Sequence, residues 1–139
     1  MILADLFEKI PVLDTRGSMR SDVTGIEMDS RLVKHGDLFV AVKGTQADGH
    51  TFIPKALELG AKALLVSEEL TIDLPEGVTV VRVADTEDAV GKVATRFYGE
   101  PTKRLKLVGV TGTNGKTTIA TVLYQMFRSL GYKCGLLST

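Results

Sequence analysis

The chain has 139 residues, and its 17 Lys and Arg balance 17 Asp and Glu, which excludes the basic excess that non-specific nucleic-acid binding requires. No apolar run approaches the roughly 20 residues of a membrane-spanning helix, and Met1-Ile2-Leu3-Ala4-Asp5 lacks the basic lead and long apolar stretch of a secretory signal. With 44% hydrophobic residues for a core and one cysteine, Cys134, for which no internal disulfide exists, the composition points to a cytoplasmic protein that inserts in no membrane.

In chain order, Ile2, Leu3, Leu6, Phe7 and Ile10 share one face of an N-terminal amphipathic helix. Four short runs rich in Val and Leu then read as strands: 38–42, 63–66, 78–83 and 105–110. Between them lie helical patterns. His50 to Leu59 puts Phe52, Ile53, Ala56 and Leu57 on one side, with Pro54 in the first turn, where a missing N–H costs little. Asp85 to Tyr98 aligns Val90, Val93, Ala94 and Phe97, and Thr117 to Leu130 aligns Ile119, Val122, Leu123, Met126, Phe127 and Leu130. Gly131 stands where a helix C-cap belongs. Alternating strands and helices predict an α/β fold with a mixed or largely parallel sheet.

A boundary is expected at Gly99-Glu100-Pro101-Thr102-Lys103, which breaks the preceding helix. Residues 1–101 could complete a small domain. Residues 102–139 hold only a strand, a loop, a helix and the start of another strand. Such a unit is too small to bury a core of its own, so the chain is expected to be the N-terminal part of something longer.

The loop Thr111-Gly112-Thr113-Asn114-Gly115-Lys116-Thr117 lies between the last predicted strand and the last predicted helix. That context suits a phosphate-binding loop. Glycines allow close backbone approach, and loop N–H groups with the positive end of the helix dipole face the phosphates. Lys116 can reach the β- and γ-phosphates of ATP, and the Thr117 hydroxyl can ligate Mg²⁺. Val110 stands where the usual pattern has its first glycine, and the extra glycine is Gly112.

Thr-Gly-Thr-Asn-Gly-Lys-Thr-Thr at 111–118 resembles the variant phosphate loop of the Mur ligases, the ATP-dependent amino-acid ligases of peptidoglycan precursor synthesis. The N-terminal half strengthens the likeness. Asp29-Ser30-Arg31, the run from Gly36 to Gly44, and Asp48-Gly49-His50-Thr51-Phe52-Ile53 look like the UDP-sugar-binding domain of the MurE and MurF members. The stretch Thr45-Gln46-Ala47-Asp48-Gly49 and the pair Thr113-Asn114 look more like MurE.

The resemblance implies that residues 1–101 bind UDP-MurNAc-L-Ala-D-Glu and that residues 102–139 begin an ATP-binding domain. It assigns Met28, Ser30, Arg31, Thr45, Gln46 and Ala47 to the UDP substrate. To ATP it assigns Gly112, Thr113, Asn114, Gly115, Lys116, Thr117 and Thr118, with Lys116 catalytic and Thr117 on the metal. The implied reaction activates the D-Glu carboxylate as an acyl phosphate, which the amine of meso-diaminopimelate or L-lysine then attacks. The remaining metal ligands, a modified lysine and the domain that selects the diamino acid are expected beyond Thr139, so this chain alone should not turn over. Other readings are a free-standing nucleotide-sugar-binding module, a MurF-type ligase and a regulatory phosphate-loop ATPase; the last leaves the first hundred residues unexplained.

Outside these motifs the residues have plainer roles. Gly36-Asp37 and Asp48-Gly49 read as turns, and His35 and His50 as surface or capping residues. Cys134 reads as a small buried residue on the last strand. Lys103, Arg104 and Lys106 read as a solvated charge group.

Overall fold

The computed structural model describes residues 1–44 and 47–138, and these form two compact units, Met1–Lys103 and Arg104–Thr139. The first unit is built on a five-stranded sheet. Its strands are β1 (Asp14–Arg16), β2 (Ile26–Glu27), β3 (Leu38–Val40), β4 (Ala63–Val66) and β5 (Thr79–Arg82), in the spatial order β1-β5-β4-β3-β2. β2 to β5 run parallel, with Leu38 opposite Ala63 and Ala63 opposite Thr79. β1 closes the edge antiparallel to β5, with Asp14 opposite Arg82.

Side chains alternate across this sheet as strand geometry requires. Leu38, Val40, Ala63, Leu65 and Val81 face one layer, which holds Leu3, Leu6 and Phe7 of α1 (Leu3–Phe7) and Ala89 and Val93 of α3 (Thr86–Phe97). Phe39, Ala41, Leu64, Val66 and Val80 face the other, which holds Ile53 and Ala56 of α2 (Ile53–Glu58). The central strands are therefore buried on both faces and read as continuous apolar runs.

The expected α3 is present to the residue at each cap, although its buried set is Thr86, Ala89 and Val93, with Val90 and Phe97 partly covered. The expected helix from His50 begins as a 3₁₀ turn, Gly49–Phe52, and becomes α2 at Ile53. β1 and β2 have no counterpart in the sequence reading.

The second unit contains α4 (Lys116–Ser129). Its end is a Schellman turn: Gly131 has φ +88°, its N–H reaches the Arg128 carbonyl, the Tyr132 N–H reaches the Phe127 carbonyl, and the Phe127 and Tyr132 rings pack edge-on at 5.8 Å. Among the described residues no strand follows β5, so the expected strands at 105–110 and at the C-terminal end are not formed. A strand exists only through a neighbour's hydrogen bonds, and within this unit no neighbour is at hand. Cys134 is accordingly half-buried and off any strand. The expected apolar stripe of α4 is present but uncovered, with Ile119, Val122, Met126 and Leu130 all exposed.

Candidate functional site

Parallel strands put their carboxyl ends along one edge, where ligands of open α/β sheets bind. Four sequence candidates come to that edge. Met28, Ser30 and Arg31 follow β2 directly, and Ala47 lies in the turn that follows β3. Thr45 and Gln46 lie outside the described residues.

The turn after β2 is shaped by its own side chains. Asp29 Oδ1 accepts the Arg31 backbone N–H at 3.0 Å, and the carboxylate takes the Arg31 guanidinium in a fork, with Nε to Oδ1 at 2.9 Å and Nη2 to Oδ2 at 2.6 Å. This pairing holds the Asp29 carboxyl at about 2, first through the guanidinium hydrogen bonds and then through the backbone bond. Arg31 remains mostly exposed, so its charge stays available at the rim. Ser30 between them is 7% exposed, and its hydroxyl has no hydrogen-bond partner among the described residues. The hydroxyl oxygen itself is not among the buried atoms that lack a partner, so the small exposed area of Ser30 includes it and it can meet a ligand's polar atom. Met28 beside it is exposed and offers an apolar surface.

Lys43 and Asp48 form an antiparallel bridge, and the Gly44 N–H reaches the Ala47 carbonyl at 3.0 Å. Gly49 has no room for a side chain, because a Cβ there would lie 2.6 Å from the Val42 carbonyl oxygen. Lys43 pairs with Glu68, just past β4, at 2.7 Å, which raises the lysine's pKa. Of the surface or capping role expected for His50, the surface half does not hold: its side chain is only 9% exposed and lies between Asp48 and Ser67, whose backbone N–H it accepts. Asp48, His50 and Glu68 bring ligand atoms within 4.8 Å of one another. Both ring nitrogens of His50 and the Glu68 carboxylate already have protein partners, so the group is a hydrogen-bond network. Spacing alone could show the Asp48 cap of the 3₁₀ turn. The link to Ser67, 17 positions away, carries no sequence signal.

In the second unit, Gly115 is the N-cap of α4 with φ +75°, a left-handed conformation that glycine adopts freely. The N-cap makes no side-chain hydrogen bond to this helix and no acid stands in its first turn. Lys116 Nζ folds back onto the Gly112 carbonyl at 2.6 Å, and the Thr117 hydroxyl accepts from Ser138 at 3.4 Å. Gly112, Thr113, Asn114 and Thr118 are exposed around them. A helix N-terminus with no side-chain cap and a lysine at its first position could hold a polyphosphate, and the adjacent threonine hydroxyl could meet a hard cation.

Comparison with known proteins shows the family of the chain. The UDP-N-acetylmuramoyl-L-alanyl-D-glutamate–2,6-diaminopimelate ligase of Phocaeicola vulgatus is 58% identical over 139 residues, which are all of this chain and 28% of that protein. The like-named protein of Listeria monocytogenes is 42% identical over the same share of each. A solved structure of a ligase of that name superposes with a TM-score of 0.67 at 27% identity, over 97% of this chain and 29% of the other. MurF from Acinetobacter baumannii gives a TM-score of 0.61 at 30% identity, over 78% and 23%. The chain thus spans less than a third of the length of these relatives. A family model, described as Mur ligase family, catalytic domain, matches residues 22–98, which hold four of the five strands with α2 and α3. With more than half of its residues in that match, the chain belongs to the Mur ligase family.

Proposed function

We propose that this chain is the N-terminal part of a cytoplasmic MurE-type ligase, with residues 1–101 binding UDP-MurNAc-L-Ala-D-Glu and residues 102–139 opening the ATP-binding domain. The longer protein joins 2,6-diaminopimelate to the D-Glu carboxylate of that substrate at the expense of ATP. The observation that carries the reading is the unpartnered hydroxyl of buried Ser30 at the carboxyl edge of the sheet. The names of relatives that match the whole chain support the choice of substrate and of amino acid.

The chemical problem is that a carboxylate must approach a triphosphate, and both are anions. Lys116 and the uncapped N–H groups of α4 offset that repulsion, and they do so most where charge builds up during transfer. Mg²⁺ held at Thr117 would add positive charge at the phosphates. On the substrate side, Ser30 accepts or donates one hydrogen bond to the UDP moiety, Arg31 meets its diphosphate, and Met28, Thr45, Gln46 and Ala47 complete the contact. No helix among the described residues is long and apolar enough to cross a membrane.

The test is phosphate release by the full-length protein given ATP, Mg²⁺, UDP-MurNAc-L-Ala-D-Glu and either 2,6-diaminopimelate or L-lysine. Turnover is expected with diaminopimelate, falling by about 10²- to 10³-fold in Lys116→Ala. Turnover with lysine alone would refute the amino-acid assignment, and an unaffected Lys116→Ala would refute the role of the loop.

A further inference from the structure

We propose that His50 is a positioning residue for the substrate edge: it ties Asp48, one half of the bridge with Lys43, to the end of β4 and so sets where Gly44 and Ala47, the neighbours of that bridge, stand. The proposal rests on the reading of this edge as the UDP-substrate site.

His50 Nε2 accepts the Ser67 backbone N–H at 3.1 Å, so that nitrogen carries no proton. Nδ1 then carries it and donates to Asp48 Oδ1 at 2.6 Å. The same carboxylate oxygen accepts the His50 backbone N–H at 2.9 Å, and these two bonds depress the Asp48 pKa, the backbone bond first. Asp48 is one half of the bridge with Lys43 that closes the turn. Ser67 is the first residue past β4, a fully buried central strand. The imidazole therefore joins Asp48 to the end of the buried central strand, and it uses one donor and one acceptor to do so. The charged groups around it are Asp48, Glu68 and Lys43. The Lys43–Glu68 pair spans the same gap from the exposed side, where a salt bridge contributes little by itself.

The two polar ends of the ring can be removed separately. His50→Gln can place an amide oxygen near the Nε2 position and keep the Ser67 bond. His50→Asn can keep a donor toward Asp48 but cannot reach Ser67. Hydrogen exchange of the Ser67 and Gly44 amides in the 139-residue chain reads the positioning directly, and calorimetric titration with UDP-MurNAc-L-Ala-D-Glu reads its consequence. The expected result is near-wild-type protection and affinity in His50→Gln. In His50→Asn, exchange at Ser67 and Gly44 should be faster and affinity about tenfold weaker. The thermal midpoints of the two variants should match, which separates positioning from a loss of folding. Equal affinity and equal protection in both variants would overturn the proposal. Altered protection with no substrate binding by the wild-type chain or by the full-length protein would overturn it differently: the tie would be real, but the substrate reading of this edge would have failed.

Discussion

The two longest helices of the chain begin in opposite ways. α3 is sealed: Asp85 accepts the N–H groups of Glu87 and Asp88, and those two acids meet the positive end of the dipole. α4 begins on a left-handed glycine, with no side-chain cap and no acid, and a lysine stands beside it. The faces differ in the same sense. α3 buries Thr86, Ala89 and Val93, whereas α4 leaves its apolar stripe exposed. A helix that only holds a fold together satisfies its own terminus. A helix without a side-chain cap has hydrogen-bonding capacity at its start that suits a ligand, which is the role proposed for this one.

The contrast can be broken most forcefully in the cores. Phe39 is fully buried between β3 and α2, and Phe39→Ala should destabilise the first unit by about 3–5 kcal/mol in urea unfolding. Val122→Ala on the open face of α4 should change the same midpoint by no more than about 0.5 kcal/mol. Equal losses would mean that the stripe of α4 is covered in solution.

At the helix starts the effect is smaller. Asp85→Ala should cost about 1 kcal/mol by removing the cap of α3. No side chain near the start of α4 should show a comparable penalty, because none caps it. The smallest effect is a pH response of the Asp29–Arg31 fork. The folded pKa of Asp29, about 2, lies below its unfolded value near 4. The fork's contribution is therefore complete above about pH 4 and is lost as pH falls toward 2. Carboxyl carbon shifts of Asp29 followed by NMR should titrate in that window, and a midpoint near 4 would show that the fork does not persist in solution.

What the sequence shows depends on how far apart the cooperating residues are. The cap and both ends of α3 follow from adjacent residues, and they are legible to the residue. β1 and β2 are three and two residues long and exist through partners far along the chain, such as Arg82 for Asp14, so no local pattern marks them. The run at 105–110 shows the reverse, a good strand pattern with nothing beside it to pair with. Among the candidate site residues, the loop at 111–117 in one unit and the Asp29-Ser30-Arg31 turn in the other are each continuous in sequence and stand out as motifs. The burial of Ser30 and the bond from His50 to Ser67 depend on tertiary packing and become visible only in the folded chain.

The most direct test of the central claim, that the carboxyl edge of the first sheet is a substrate site, is calorimetric titration of this chain and its Ser30→Ala variant with UDP-MurNAc-L-Ala-D-Glu, alongside thermal unfolding. Because the Ser30 hydroxyl has no protein partner, Ser30→Ala should leave the midpoint unchanged or slightly raised while weakening binding by about fivefold to tenfold. A variant that loses stability but keeps wild-type affinity would contradict the account, since the hydroxyl would then serve the fold and not the ligand.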